Sequence, residues 1–81
     1  MNVAFSNRFL RQYAALPEAV KAKFDKQLGF LLAHLRHNSL RAKKYDEAQD
    51  IWQARVDNHY RFYFQIAGDT YRILSITPHP K

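Results

Sequence analysis

Ile51-Trp52-Gln53-Ala54-Arg55-Val56, followed after Asp57-Asn58-His59 by Tyr60-Arg61-Phe62-Tyr63-Phe64-Gln65-Ile66, is the stretch that decides the fold. Both runs alternate apolar and polar residues, and period-two alternation broken by a short polar turn reads as a β-hairpin. If Trp52, Ala54, Val56, Tyr60, Phe62, Phe64 and Ile66 share one buried face, cross-strand partners must have an even index sum. A two-residue Asp57-Asn58 loop fails that condition. A three-residue loop meets it, and pairs Val56 with Tyr60 and Arg55 with Arg61. Gln53, Arg55, Arg61, Tyr63 and Gln65 then occupy the opposite face. Like charges directly opposite one another destabilise a hairpin, so a compensating group is expected, and an anion is the simplest candidate. The alternative is that the two guanidiniums diverge along their stems or meet local carboxylates.

Upstream of the hairpin, Val20, Phe24, Leu28, Leu31 and Leu35 recur at four- and three-residue intervals and form one apolar helical stripe. Lys21, Lys23, Asp25, Lys26 and Gln27 mostly cover the other side, Arg36 and His37 suit the helix C-terminus, and Asn38-Ser39 ends it. A shorter helix precedes it, with Ser6 as N-cap and Phe9, Leu10, Tyr13, Ala14 and Leu16 at helical spacing. Pro17 interrupts that helix and suits the first position of the next. Asn2-Val3-Ala4-Phe5 reads as a short edge strand, and residues 40–50 as a polar, basic connection. After a Gly68-Asp69 turn, a last strand runs from Tyr71 through Thr77 with apolar residues on both faces, so pattern alone leaves its register open. The expected architecture is α+β in the order β-α-α-β-β-β, one domain over residues 1–81. Its αα-hairpin packs on one face of an antiparallel sheet of about four strands, burying Phe24, Leu28, Leu31, Trp52, Phe62 and Phe64. Two helices cover only one face of such a sheet and leave the other open to a ligand.

Thirteen Lys and Arg against seven Asp and Glu give a net charge of +6. On so short a chain that balance favours nucleic acid or an acidic protein partner, with a generally basic soluble surface as the alternative. The absence of cysteine excludes a disulfide framework and a Cys-based zinc site, and fits a reducing cytoplasm. Met1-Asn2-Val3 lacks the basic start and long apolar run of a secretory leader, and Phe30-Leu31-Leu32-Ala33 is too short to span a bilayer, so a cytoplasmic protein without a membrane partner is expected.

The four histidines are scattered and no carboxylates cluster, so neither a metal nor another cofactor is expected. Ser6, Ser39 and Ser75 lack the setting of a nucleophile, and there is no glycine-rich phosphate loop. A basic sheet face with a histidine beside it remains. That inventory suits metal-free RNA cleavage, in which the substrate's own 2′-hydroxyl attacks the adjacent phosphate. The protein then needs to supply in-line positioning, cations for the developing charge and a proton donor for the departing 5′-oxygen. Arginine clamps phosphate oxygens but is a poor base. Histidine is the usual proton donor near neutrality, and His79 is the one that the expected topology places beside this face.

Trp52-x-x-Arg55, the run Tyr60-Arg61-Phe62-Tyr63-Phe64-Gln65, the ending His79-Pro80-Lys81 and the order of elements resemble the RelE/ParE toxin superfamily. The likeness spans nearly the whole chain but is specific only over residues 51–81. It implies the toxin of a type II toxin–antitoxin system: a ribosome-dependent, metal-independent mRNA endonuclease that inhibits translation and is neutralised by a cognate antitoxin. By resemblance, Arg61 lies where the family keeps its transition-state arginine and Arg55 where RelE-like toxins place a catalytic basic residue. His79 falls at the catalytic histidine of the YoeB branch, and Lys81 at a functional arginine of RelE. Arg41, Lys43, Lys44, Gln53 and Tyr63 are expected to contact RNA or the ribosome. The lysine-rich strand of RelE is reduced here to Gln53 and Arg55, and no carboxylate sits cleanly at the position of the YoeB acid. A ParE-like toxin that binds gyrase without nuclease activity is the alternative on the same scaffold. A catalytically inactive basic RNA- or protein-binding module is a third reading.

Overall fold

Ser6 opens the helical layer. Its backbone is extended and its Oγ accepts the Phe9 amide at 3.0 Å, capping α1 (Asn7–Ala14) as a serine at that position should. Pro17 takes the N-cap of α2 (Glu18–Ala33), one position earlier than the sequence pattern places it. α2 also stops at Ala33, ahead of Arg36 and His37. The reason is local: the Nδ1 atoms of His34 and His37 accept the Arg36 and Ser39 amides at 3.1 and 3.2 Å, drawing the backbone into turns instead of helix. The His37 ring stacks on Phe30 at 3.9 Å and folds this segment back against the helix.

The structure, a computed structural model, describes residues 1–79. Its sheet contains β1 (Asn2–Phe5), β2 (Lys43–Asp46), β3 (Ile51–Arg55), β4 (Tyr60–Ala67) and β5 (Thr70–Pro78), in the spatial order β1-β5-β4-β3-β2. The fold is α+β as expected, but the sheet has five strands and is mixed, because β1 runs parallel to β5. The additional strand is β2, which lies within the segment expected to be a connection. Lys43-Lys44-Tyr45-Asp46 has no apolar alternation to announce it. It becomes a strand by pairing with the free edge of β3, Lys43 opposite Gln53 and Lys44 opposite Trp52, with a bulge at Tyr45.

The central hairpin has the inferred register. Trp52 pairs with Phe64, Ala54 with Phe62 and Arg55 with Arg61, and the Val56 amide donates to the Tyr60 carbonyl at 3.1 Å across the loop. The register of β5 is settled by a second bulge, since Phe64 pairs with Ile73 but Tyr63 with Ser75. Leu74 is the inserted residue. Tyr71 and Ile73 point into the core before it and Ile76 after it, which explains the mixed pattern of that strand. α1 satisfies the groups that the bulge leaves over: Ser6 Oγ donates to the Leu74 carbonyl at 2.7 Å, and Gln12 Oε1 accepts the Ile76 amide at 2.9 Å.

The core lies between the helices and one face of the sheet. Phe9, Phe24, Phe62 and Phe64 form a chain of aromatic contacts with centroids 5.1 to 5.7 Å apart. Leu31, Leu40 and Ile73 are fully buried around them. Trp52 and Leu28 are half-buried, less than the sequence leads one to expect. The buried stripe of α2 is Val20, Phe24, Gln27 and Leu31, so Gln27 turns inward in place of Leu28. The Gln27 amide is satisfied there, with Nε2 donating to the Ser39 carbonyl at 2.9 Å and the Arg55 carbonyl at 2.8 Å. Truncating Phe64 to alanine should cost about 3–5 kcal/mol as a core cavity, read as a lower denaturation midpoint. Gln27→Leu should cost about 1–3 kcal/mol, because it strands a part-buried carbonyl while adding apolar volume.

Candidate active site

Because helices cover only one side of the sheet, the side chains of alternate rungs collect on the other. Arg55 and Arg61 are directly opposed on one rung, and Thr77 continues it on β5. Lys43, Gln53, Tyr63 and Ser75 form the adjacent rung. A cleft of about 210 Å³ opens here, walled by Arg41, Lys43, Gln53, Arg55, Arg61 and His79. Four of these residues are Lys or Arg and none is a carboxylate.

Arg55 and Arg61 are half-buried residues, and their guanidiniums are held by neutral acceptors. Arg61 Nη1 donates to the carbonyls of Asp57 and Tyr60 at 2.6 and 3.0 Å, and Arg55 Nη2 donates to Asn58 Oδ1. Among the described residues neither arginine takes part in an ion pair. The expected compensation therefore comes from dipoles of the hairpin loop, which orient both cations without neutralising them. Gln53 is buried beneath them, and its Nε2 donates to the Tyr63 hydroxyl at 3.1 Å. His79 is exposed, and its amide extends the β4–β5 pairing by donating to the His59 carbonyl at 2.6 Å.

The loop that holds the arginines is itself organised by Asp57. Its Oδ1 accepts the His59 and Tyr60 amides at 2.8 and 2.9 Å, and Oδ2 faces Lys23 Nζ of α2 at 3.4 Å. Burial pushes the carboxyl pKa up, but the two amides and the lysine outweigh it and hold the group below the usual carboxylate range. Arg41 shows a different constraint: its backbone is left-handed, with φ +46°. That conformation is costly for a residue with a Cβ, and here it carries a cation on the cleft wall.

One of the residues singled out from sequence does not join this group. Lys44 lies opposite Trp52, on the rung between those of the cleft; its Nζ sits 5.2 Å from the Trp52 ring centroid and is paired with Asp50 and Glu47. The hydrogen bond that Lys44 donates to Asp50 raises the Lys44 pKa, against a smaller opposing effect of burial. Lys81 lies outside the described residues. The others, Arg41, Lys43, Gln53, Arg55, Arg61, Tyr63 and His79, share the open face. Sequence reading missed Asp57 and Asn58 as the groups that orient the arginines, although a carboxylate and an amide in a hairpin loop are typical turn formers. It also missed Tyr45 and Arg8, which border the same face. An aromatic directly after Lys43-Lys44 was the available signal.

Helix pair and sheet order together are a fold shared with solved RelE- and YoeB-type toxins. Solved structures of that fold superpose on nearly the whole chain. The YoeB/ParE toxin from Agrobacterium tumefaciens matches with a TM-score of 0.83 at 10% identity, covering 99% of this chain and 100% of that one. The YoeB dimer from Staphylococcus aureus matches at 0.82 and 14% identity, over 99% and 98% of the two chains. A chain of the archaeal RelE–RelB complex from Pyrococcus horikoshii matches at 0.79 and 18% identity, over 95% and 92%. No family model and no curated protein sequence matches the chain. Among the described residues no three His, Cys, Asp or Glu side chains converge as metal ligands, and no helix is long and apolar enough to cross a membrane.

Asp57 gives this site an acid sensitivity. A carboxyl whose pKa is depressed by folding contributes stability above its unfolded value and loses it as pH falls through the folded one. Asp57→Asn keeps an oxygen for the two amides and removes the charge. The stability gap between wild type and Asp57→Asn should thus be widest near neutrality and close below the usual carboxylate range, as followed by urea unfolding at a series of pH values. At position 41 the ordinary order of alanine and glycine should invert, with Arg41→Gly more stable than Arg41→Ala by about 1 kcal/mol.

Proposed function

We propose that this protein is the toxin of a type II toxin–antitoxin system and acts as a ribosome-dependent, metal-independent mRNA endonuclease. The observation that carries the reading is the pair of opposed arginines, Arg55 and Arg61, which meet no carboxylate among the described residues and share one cleft with His79. A cleft whose described walls carry four cations and no carboxylate suits a phosphodiester. The 2′-hydroxyl oxygen of the RNA bonds to phosphorus and its proton passes to solvent. Arg61 stabilises the charge that develops on the phosphate oxygens, and Arg55 makes a second contact to them. The bond to the 5′-oxygen breaks as that oxygen takes a proton from His79, leaving a cyclic phosphate and a free 5′-hydroxyl. Arg41 and Lys43 hold the flanking backbone, Gln53 lines the cleft with Tyr63 bracing it from the side, and Lys81 adds a phosphate contact. Lys44 serves the ribosome-facing surface from the other side of the edge strand.

The matched folds include toxins solved with antitoxins, among them the Escherichia coli RelBE complex and the Staphylococcus aureus YoeB–YefM complex. A cognate antitoxin is proposed here on the same basis. Its acidic residues would meet the arginines, and an apolar stretch would lie in the hollow beside α1 lined by Phe5, Leu10 and Leu28. The working compartment of such a protein is the cytoplasm.

Purified ribosomes carrying a defined mRNA test the reading. Wild type should cleave, and Arg61→Ala should lose roughly 10²–10³ in single-turnover rate while remaining folded. His79→Gln should flatten the pH dependence of the rate between about pH 5 and 8; a profile equal to wild type would make His79 a bystander. Intact mRNA together with inhibited gyrase supercoiling would favour the non-nuclease toxin instead.

A further inference from the structure

The open face carries a second hollow, beside the arginine cleft, that the cleavage chemistry leaves unused. It encloses about 370 Å³ and is bounded by Tyr45, Tyr63, Ile51, Leu74, Thr77 and Arg8. Tyr45 is 61% exposed, an unusual position for a large ring on an edge strand with nothing covering it. Its ring meets that of Tyr63 at 4.9 Å between centroids and 64° between planes, so the two form a corner. Tyr63 is fixed from below through its hydroxyl by Gln53, the same residue that lines the arginine cleft. The bulge in β5 makes Leu74 an extra apolar wall on this face. Arg8, from the first turn of α1, closes the far side with a cation.

We infer that this hollow binds one nucleobase of a single-stranded RNA, stacked on Tyr45, while Arg55 and Arg61 hold the adjoining phosphate. The inference rests on the proposed phosphodiester cleft and deepens it. Two residues along a strand separate the rung of Tyr63 from that of Arg61, about 6.8 Å of travel, which is commensurate with consecutive phosphates of an extended strand. Flat aromatic faces with apolar walls accept any base by stacking, whereas the cations at either end accept the phosphates on each side of it. Tyr45 and Arg8 thereby give the cleft a direction, from the arginine pair toward α1.

Fluorescence anisotropy with a short 2′-O-methyl oligoribonucleotide, which cannot be cleaved, and an abasic chain of the same length separates the two layers. Wild type should bind the base-bearing chain tighter than the abasic one by about 5- to 150-fold. Tyr45→Ala should bring that ratio close to one while leaving affinity for the abasic chain unchanged, and Tyr45→Phe should restore it. Equal binding of the two chains by wild type, or an equal loss of both in Tyr45→Ala, would overturn the base site and leave the phosphate cleft standing. Failure of wild type to bind the abasic chain would overturn the phosphate cleft and the inference with it. A Tyr45→Ala defect confined to binding of an antitoxin would show a protein contact and also overturn the inference.

Discussion

The Gln27 amide is the contact on which the rest of the arrangement hangs. One nitrogen donates to two carbonyls, Ser39 and Arg55, that belong to different parts of the chain. It fixes the middle of α2 over the end of β3 and at the same time pins the turn that leads into β2. The Arg55 amide completes the junction by donating to the Leu40 carbonyl at 2.7 Å. Leu40 is thereby driven into the core, fully buried, and the next residue is forced outward in a left-handed conformation. The cation of Arg41 and the backbone of Arg55 thus owe their proximity to a polar group inside the apolar layer. Buried amides with both donors engaged define geometry more sharply than an aliphatic side chain would.

The two bulges divide labour between the faces of the sheet. The one at Leu74 lets β5 bury Tyr71 and Ile73 at one end and Ile76 at the other, and α1 supplies Ser6 and Gln12 to absorb the unpaired backbone. The one at Tyr45 twists the edge strand where it would otherwise present a regular row of amides to another chain. Leu74, the residue inserted in β5, and Tyr45 both border the face that the helices do not cover. That face mixes cations with flat and branched hydrocarbon.

Much of this was legible in the residues. The Arg55–Arg61 pairing followed from parity and loop length, because seven apolar residues on one face admit only an odd loop and a three-residue loop is the short one that fits. The helical stripe was readable to within one residue, and its error is instructive: hydrophobicity favoured Leu28, while hydrogen-bond geometry placed Gln27 inside. β2 was not legible, since a strand made by pairing to an existing edge needs no pattern of its own. The site was legible as a set of charges but not as an arrangement. Which lysine faces which side depends on the β2 register, and the loop acceptors that steer the arginines act through atoms that alternation does not describe.

The parallel pairing of β1 with β5 has a consequence for how the chain is made. Asn2 must wait for Thr70, and Phe5 for Ile73, so β1 is made long before the strand it pairs with. Until residues 70–78 leave the exit tunnel, Ser6 and Gln12 have no bulge to satisfy and β4 has an open edge. Contacts this distant in sequence close slowly. A nascent chain therefore carries β1 through the synthesis of all the intervening elements before its partner exists, and the sheet closes only once β5 has been made.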